Sequence, residues 1–114
     1  MFRNAIGSFV SVSLRSLLLL VAMGTCLTAQ AQTSNAVVIH NFMFSPMEMT
    51  VKAGSTVTWK NLDGEPHTVV NDAGLFRSSA LDQNDSFQFK FDRPGVYKIL
   101  CGIHPNMRET ITVE

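Results

Sequence analysis

The chain has 114 residues, which is enough for one domain of ordinary size but not for two. Its nine Lys and Arg residues balance nine Asp and Glu residues, so the sequence lacks the excess positive charge that neutralising many phosphates requires, which argues against nucleic acid as a partner. It also contains no polybasic segment that could tether it to a membrane surface, no repeat and no low-complexity tract.

The N-terminal residues 1–31 have a composition typical of a secretory signal peptide. Two arginines precede or flank an apolar run at residues 17–22, and small residues follow up to Ala31. The apolar run is well short of the roughly 20 residues that a membrane-spanning helix needs. We therefore expect cleavage after Ala31 and no stable membrane insertion afterwards. The product would be a slightly acidic periplasmic domain, residues 32–114.

One cysteine remains in this predicted mature domain, because Cys26 lies in the signal segment and Cys101 is the other cysteine of the chain. Small exported domains often depend on disulfides, but a single thiol cannot form one within the chain. A domain of this size also has a thin stability margin. A bound metal ion would both occupy the thiol and add stability.

From Val37 onward, apolar residues recur at every second position, which is the spacing of half-buried β-strands. The clearest alternations are at residues 56–60, 87–91 and 97–101. Turn-forming residues separate the strands, at residues 45–46, 53–55, 63–66, 71–74 and 92–95. After the signal no segment has sustained helical periodicity, and residues 78–84 could form one helical turn at most. The pattern predicts an all-β sandwich or barrel.

The segment Cys101-Gly102-Ile103-His104-Pro105-Asn106-Met107 follows the last of these alternations directly. The cysteine shares the inward-facing parity of the preceding strand, so we expect a buried thiol at the rim of the fold. Glycine after the cysteine and proline after the histidine favour a tight loop in which thiol, imidazole and thioether converge. His67, which follows a predicted turn, is the best candidate for a further ligand from a different strand.

Two imidazoles, a thiolate and a weak axial thioether are the ligands of a blue-copper electron-transfer site. His67, Cys101, His104 and Met107 therefore predict one type 1 copper ion as the cofactor. Taken singly, these residues have structural explanations, as a core thiol, hydrogen-bonded histidines and a gap-filling methionine, and only their combination indicates copper. Structural zinc is the main alternative metal, but it normally takes four Cys or His ligands and has little use for a thioether.

His40 and three further methionines are interpreted differently. His40 faces away from Ile39 and is expected at the surface. Met43, Met47 and Met49 could form a thioether-rich patch for copper delivery, but methionine commonly fills gaps in a core, which is the interpretation we favour.

Several motifs, in order along the chain from Val37 to Glu114, resemble the cupredoxins, the superfamily of plastocyanin and azurin. The motifs are FMFSP at 42–46, VKAG at 51–54, VTWKN at 57–61, PHTV at 66–69 and PGVY at 94–97. The two-residue gap between His104 and Met107 resembles the short ligand loop of amicyanin-like members. The resemblance implies a Greek-key β-sandwich with copper near one end, under a mostly apolar surface through which the edge of His104 is exposed.

The resemblance also implies contacts that support the ligands. Asn61 resembles the asparagine that ties the ligand loops together beside the thiolate. Amicyanin-like loops tend to carry proline where this chain has Ile103, whose amide could donate to the Cys101 sulfur and raise the reduction potential.

A cupredoxin of this kind would be a monomeric electron carrier, not an enzyme, that shuttles single electrons through Cu(I)/Cu(II) between redox partner proteins. Dehydrogenases and c-type cytochromes are the expected partner classes, although Asn106 and Glu65 make the rim of the site polar, which argues against an amine dehydrogenase. The alternative is a periplasmic copper-binding or copper-delivery protein. Oxidase or nitrite reductase activity is disfavoured, because the three histidines form no His-x-His pair.

Overall fold

The structure, a computed structural model, describes residues 24–25 and 35–114. It contains eight strands, β1 (Ala36–His40), β2 (Met43–Ser45), β3 (Glu48–Val51), β4 (Ser55–Asn61), β5 (Val70–Asn71), β6 (Ser86–Phe91), β7 (Gly95–Leu100) and β8 (Arg108–Val113). They form two four-stranded sheets, with strand orders β2-β1-β4-β6 and β3-β8-β7-β5. No helix is present in the described residues, including 78–84. The predicted all-β sandwich is confirmed.

The predicted signal peptide, residues 1–31, lies outside the described residues except for positions 24 and 25. Within the described part of the chain, no helix has the length and apolar character needed to cross a membrane.

The hydrophobic core lies between the two sheets, because alternate residues of the long strands point inward. Val57 and Trp59 of β4 are fully buried on one side, and Ile111 of β8 is fully buried on the other. Burial of one such large side chain contributes about 1.5–3 kcal/mol to stability. One polar bond crosses the core, from Nε1 of Trp59 to a carboxylate oxygen of Glu109 at 2.8 Å.

Strand pairing brings three connections to one end of the sandwich. The antiparallel ladder of β7 and β8 ends with Leu100 opposite Arg108, so residues 101–107 form a closed loop there. The hairpin of β1 and β2 has residues 41–42 at its tip, and the amides of both tip residues bond to Asp63, just after β4. The hairpin tip, the β4–β5 connection and the β7–β8 loop therefore meet, and the predicted metal ligands lie on the last two.

Candidate metal centre

The loop between β7 and β8 folds the predicted Cys-His-Met motif into one tight turn. The amide of Cys101 donates to the carbonyl of Met107 at 3.2 Å, and the amide of Met107 donates to the carbonyl of His104 at 2.9 Å. Cys101 and Met107 are buried, whereas His104 is partly exposed. A Cβ added at Gly102 would lie 3.2 Å from the hydroxyl of Thr68, so a larger residue would crowd this close approach of two loops.

His67 reaches the same point from the connection between β4 and β5. Its backbone is fixed by a short bridge to Leu81, with the His67 amide donating to the Leu81 carbonyl at 3.1 Å and the reverse bond at 2.7 Å. The imidazole is fully buried. Its Nε2 lies 2.9 Å from a carboxylate oxygen of Asp63. An ionised carboxylate only accepts hydrogen bonds, so Nε2 carries the proton and Nδ1 presents a lone pair to the Cys101 loop.

Three donor atoms converge on one point. Nδ1 of His67 and Nδ1 of His104 are 3.2 Å apart, and the Cys101 sulfur lies 3.9 Å from the first and 3.8 Å from the second. Metal bonds of about 2.0–2.3 Å arranged at 120° would separate their ligand atoms by about 3.5–4 Å. The two sulfur–nitrogen separations fall within this range and the nitrogen–nitrogen separation is slightly shorter, so the three atoms can hold a single ion with a near-trigonal His₂Cys donor set of the kind that blue copper uses.

Met107 lies at the end of the loop and packs with the hydrophobic core, with 5% of its surface exposed. Its backbone closes the loop around His104 as described above. Met107 follows His104 by three residues, and its role as the axial ligand stays a prediction.

Thr68, which directly follows His67, supplies the polar contacts of the sulfur. Its amide donates to Sγ of Cys101 at 3.4 Å, and its hydroxyl lies 3.8 Å from the same sulfur. The hydroxyl also accepts the amide of Gly102 at 2.8 Å. The hydroxyl proton is therefore free to point toward the sulfur.

The predicted bond from the amide of Ile103 to the sulfur is wrong. No such bond occurs among residues 35–114, and the Ile103 side chain is half exposed at the loop surface. Physically, the sulfur turns inward from the end of β7 and faces the β4–β5 connection, where the amide of Thr68 is in reach. Sequence reasoning did not find Thr68, because its partner lies 33 positions further along the chain.

Asn61 supports the His67 side of the site. Its side-chain amide donates to the carbonyls of Glu65 at 2.9 Å and Leu81 at 2.8 Å, and its oxygen accepts the amide of Asp63 at 2.9 Å. These bonds hold the loop before His67 in shape. The predicted support of a ligand loop is therefore present, but the residue beside the sulfur is Thr68.

Asp63 was also missed by the sequence reasoning. Besides the His67 ring, its carboxylate accepts the amides of Asn41 at 2.7 Å and Phe42 at 2.9 Å, both at the tip of the β1–β2 hairpin. Burial acts to raise the pKa of Asp63, but the bonds from the Phe42 and Asn41 amides and from His67 outweigh it and hold this pKa below its ordinary value of 3.8. The carboxylate thus stays ionised and links the hairpin to the candidate ligand His67.

The remaining candidate residues, His40 and three methionines, differ in how exposed they are. His40 is exposed, as predicted. Met49 packs against the core, which fits a gap-filling role, but Met43 and Met47 are more than half exposed, so for these two residues that prediction is wrong. Met43 begins β2, whose inward position is taken by Phe44, and Met47 lies in the connection between β2 and β3.

Comparison with known proteins agrees with this geometry. A family model described as a cupredoxin-like domain matches residues 13–113. The chain is 35% identical over 86 residues to amicyanin-alpha of Methylorubrum extorquens, covering 71% of this chain and 72% of that protein. It is 39% identical over 85 residues to a plastocyanin of Scenedesmus fuscus, covering 63% and 87% of the two chains. A Cu(I) structure of an amicyanin variant superposes with a TM-score of 0.66 at 30% identity, over 69% of this chain and 80% of the other.

Proposed function

This chain belongs to the cupredoxin family, and we propose that it is an exported blue-copper electron carrier whose single copper ion is held by His67, Cys101, His104 and Met107. The observation that carries this proposal is the triangle of two imidazole nitrogens and one buried sulfur, all within 4.8 Å of one another. Copper bound by this donor set supplies the Cu(I)/Cu(II) couple through which a single electron passes.

The protein residues determine how well this couple works. Soft sulfur from Cys101 suits Cu(I), while the imidazoles accept both oxidation states. Cys101 sits at the end of a long ladder and His67 is held by Leu81 and Asp63, so the donors keep their separations with little rearrangement. Small rearrangement favours fast electron transfer. His104 is the ligand with solvent access, and it is the proposed point of electron entry and exit.

Partners and location are part of the proposal. Relatives named amicyanin and plastocyanin support a carrier that works with redox partner proteins, for which dehydrogenases and c-type cytochromes are the proposed classes. The composition of residues 1–31 supports export to the periplasm, with residues 32–114 as the working domain.

Cycling the copper-loaded protein distinguishes an electron carrier from a copper-delivery protein. We expect the protein to be reduced by ascorbate and reoxidised by ferricyanide repeatedly while keeping its copper in the presence of a Cu(I) chelator of moderate affinity. After each cycle, optical spectra would report the oxidation state of the copper and metal analysis would report how much copper the protein retains. Loss of the copper to the chelator at the first reduction would contradict the carrier role and favour delivery.

Replacing Thr68 tests the contacts to the sulfur. Thr68→Val keeps the shape but removes the hydroxyl that bonds Gly102 and faces Cys101. We expect a lower reduction potential, because the thiolate loses a hydrogen-bond donor, and a metal-free protein destabilised by about 1 kcal/mol. Voltammetry and urea unfolding measure the two effects. Thr56→Val, at an exposed threonine of β4, is the control, and an equal potential in the Thr68 and Thr56 variants would contradict the assignment.

A further inference from the structure

The tip of the β1–β2 hairpin has a conformation that its sequence does not favour. Asn41 and Phe42 both have positive φ, at 51° and 57°. A two-residue turn of this kind is best served by Asn-Gly, since glycine adopts positive φ without steric cost. Asparagine tolerates this region, but a phenylalanine is strained there. The hairpin alone gives no reason to carry an aromatic side chain at this position.

The contacts of Phe42 point to the metal centre. Its ring lies edge-to-face against the His67 ring and the His104 ring, with centroids 5.1 Å apart in both cases. Phe42 is 46% exposed, so it does not belong to the hydrophobic core. Its backbone amide bonds to the same Asp63 carboxylate that holds His67. Strain concentrated beside a site commonly has a functional reason.

The two histidines differ in how they are restrained. The imidazole of His67 is buried and fixed through Nε2 by Asp63. The imidazole of His104 is partly exposed, and in the described residues its hydrogen-bond contacts all involve Nδ1, the atom that faces the other ligands. The Phe42 ring is therefore an aromatic packing partner of His104 from outside the ligand triangle.

We propose that Phe42 is a positioning residue of the metal centre: its ring, anchored through Asp63, holds the His104 imidazole against His67 and slows copper release. The inference rests on the proposed function, because it assumes that the two imidazoles are ligands. Edge-to-face contacts of this type add to stability beyond the area they bury, and here they stabilise the arrangement of the ligands.

The test uses Phe42→Gly, which relieves the strained turn while it removes the ring. We expect release of Cu(I) to excess chelator about tenfold faster than in the unmodified protein. Thermal stability of the metal-free variant should be unchanged or higher, because Asn-Gly suits the turn. Phe42→Tyr keeps the ring and should release copper within about twofold of the unmodified rate. Leu75→Ala, at another hydrophobic residue that is about half exposed, is the control and should behave like the unmodified protein.

A second readout needs no metal. In the metal-free protein, NMR ring-proton signals of His67 and His104 should move in Phe42→Gly, because the ring current of Phe42 is lost, and stay near their positions in Leu75→Ala. Copper release at the unmodified rate in Phe42→Gly would overturn the inference, as would faster release that is matched by a loss of metal-free thermal stability. If the unmodified protein binds no blue copper at all, it is instead the proposed function that fails.

Discussion

We expect Cys101→Ser to abolish the intense absorption band at about 600 nm that a His₂Cys copper site gives when Cu(II) is added. The Cys101 sulfur is fully buried and lies 3.8–3.9 Å from both imidazole nitrogens, so it is the thiolate available to the ion in this triangle. A serine oxygen in the same place is a hard donor without the sulfur-to-copper charge transfer that produces the colour. The loss of the band should be complete rather than partial.

The fold should survive this change, because serine is slightly smaller than cysteine and its oxygen can accept the amide of Thr68. Far-ultraviolet circular dichroism of the metal-free variant would check this. Met43→Leu removes an exposed sulfur and serves as the control that keeps the band. A blue spectrum in Cys101→Ser would show that another sulfur binds the ion, and the assignment of this centre would then be wrong.

We expect Glu109→Gln to stabilise the metal-free protein at pH 8 by about 3 kcal/mol and to have little effect near pH 4. Glu109 is 2% exposed, and of its two carboxylate oxygens one accepts the Trp59 indole while the other has no hydrogen-bond partner in the described structure. Burial raises the pKa of Glu109 from 4.5 to about 7, against the opposing effect of the Trp59 bond.

The direction of the effect follows from this raised pKa. Between pH 4.5 and about 7 the folded protein binds a proton that the unfolded chain releases. The contribution of Glu109 to stability is therefore complete below pH 4.5, declines as the pH rises through about 7, and then levels off. Glutamine cannot ionise, and it keeps the oxygen that accepts the Trp59 indole, so the decline should disappear in the variant.

Urea unfolding at a series of pH values, followed by tryptophan fluorescence, measures this effect. Trp59 is the one tryptophan of the chain and donates to Glu109 itself, so the signal reports on the bond in question. Glu65→Gln, at an exposed carboxyl group, is the matched control and should follow the unmodified protein. An unmodified protein whose unfolding free energy is flat between pH 5 and 8 would contradict the raised pKa.

The sequence patterns that predicted structure correctly were local ones. Alternation placed Val57, Trp59 and Cys101 inward because strand periodicity requires no knowledge of partners. The loop motif of residues 101–107 was likewise readable because its three chemical groups are close in sequence. Glu109 shares the inward-facing parity of Ile111. Strand alternation therefore indicates a buried Glu109, but a charged residue is not usually expected in a core.

The features that sequence reasoning missed depend on contacts between distant segments. Asp63 bonds to amides 21 and 22 positions earlier, and Thr68 bonds to a sulfur 33 positions later. The parallel pairing of β1 with β4 brings the hairpin tip to Asp63, and the antiparallel pairing of β5 with β7 brings Thr68 beside Cys101. No local sequence pattern encodes either pairing. The Ile103 prediction failed for a related reason, since the direction of a loop amide depends on the tertiary position of the loop.

Titration of the metal-free domain with Cu(II), followed by visible absorption, tests the central claim most directly. We expect an intense band at about 600 nm that grows linearly and saturates at one copper per chain. Weak and broad absorption at every copper ratio, with no band in this region, would contradict a centre built from His67, Cys101 and His104.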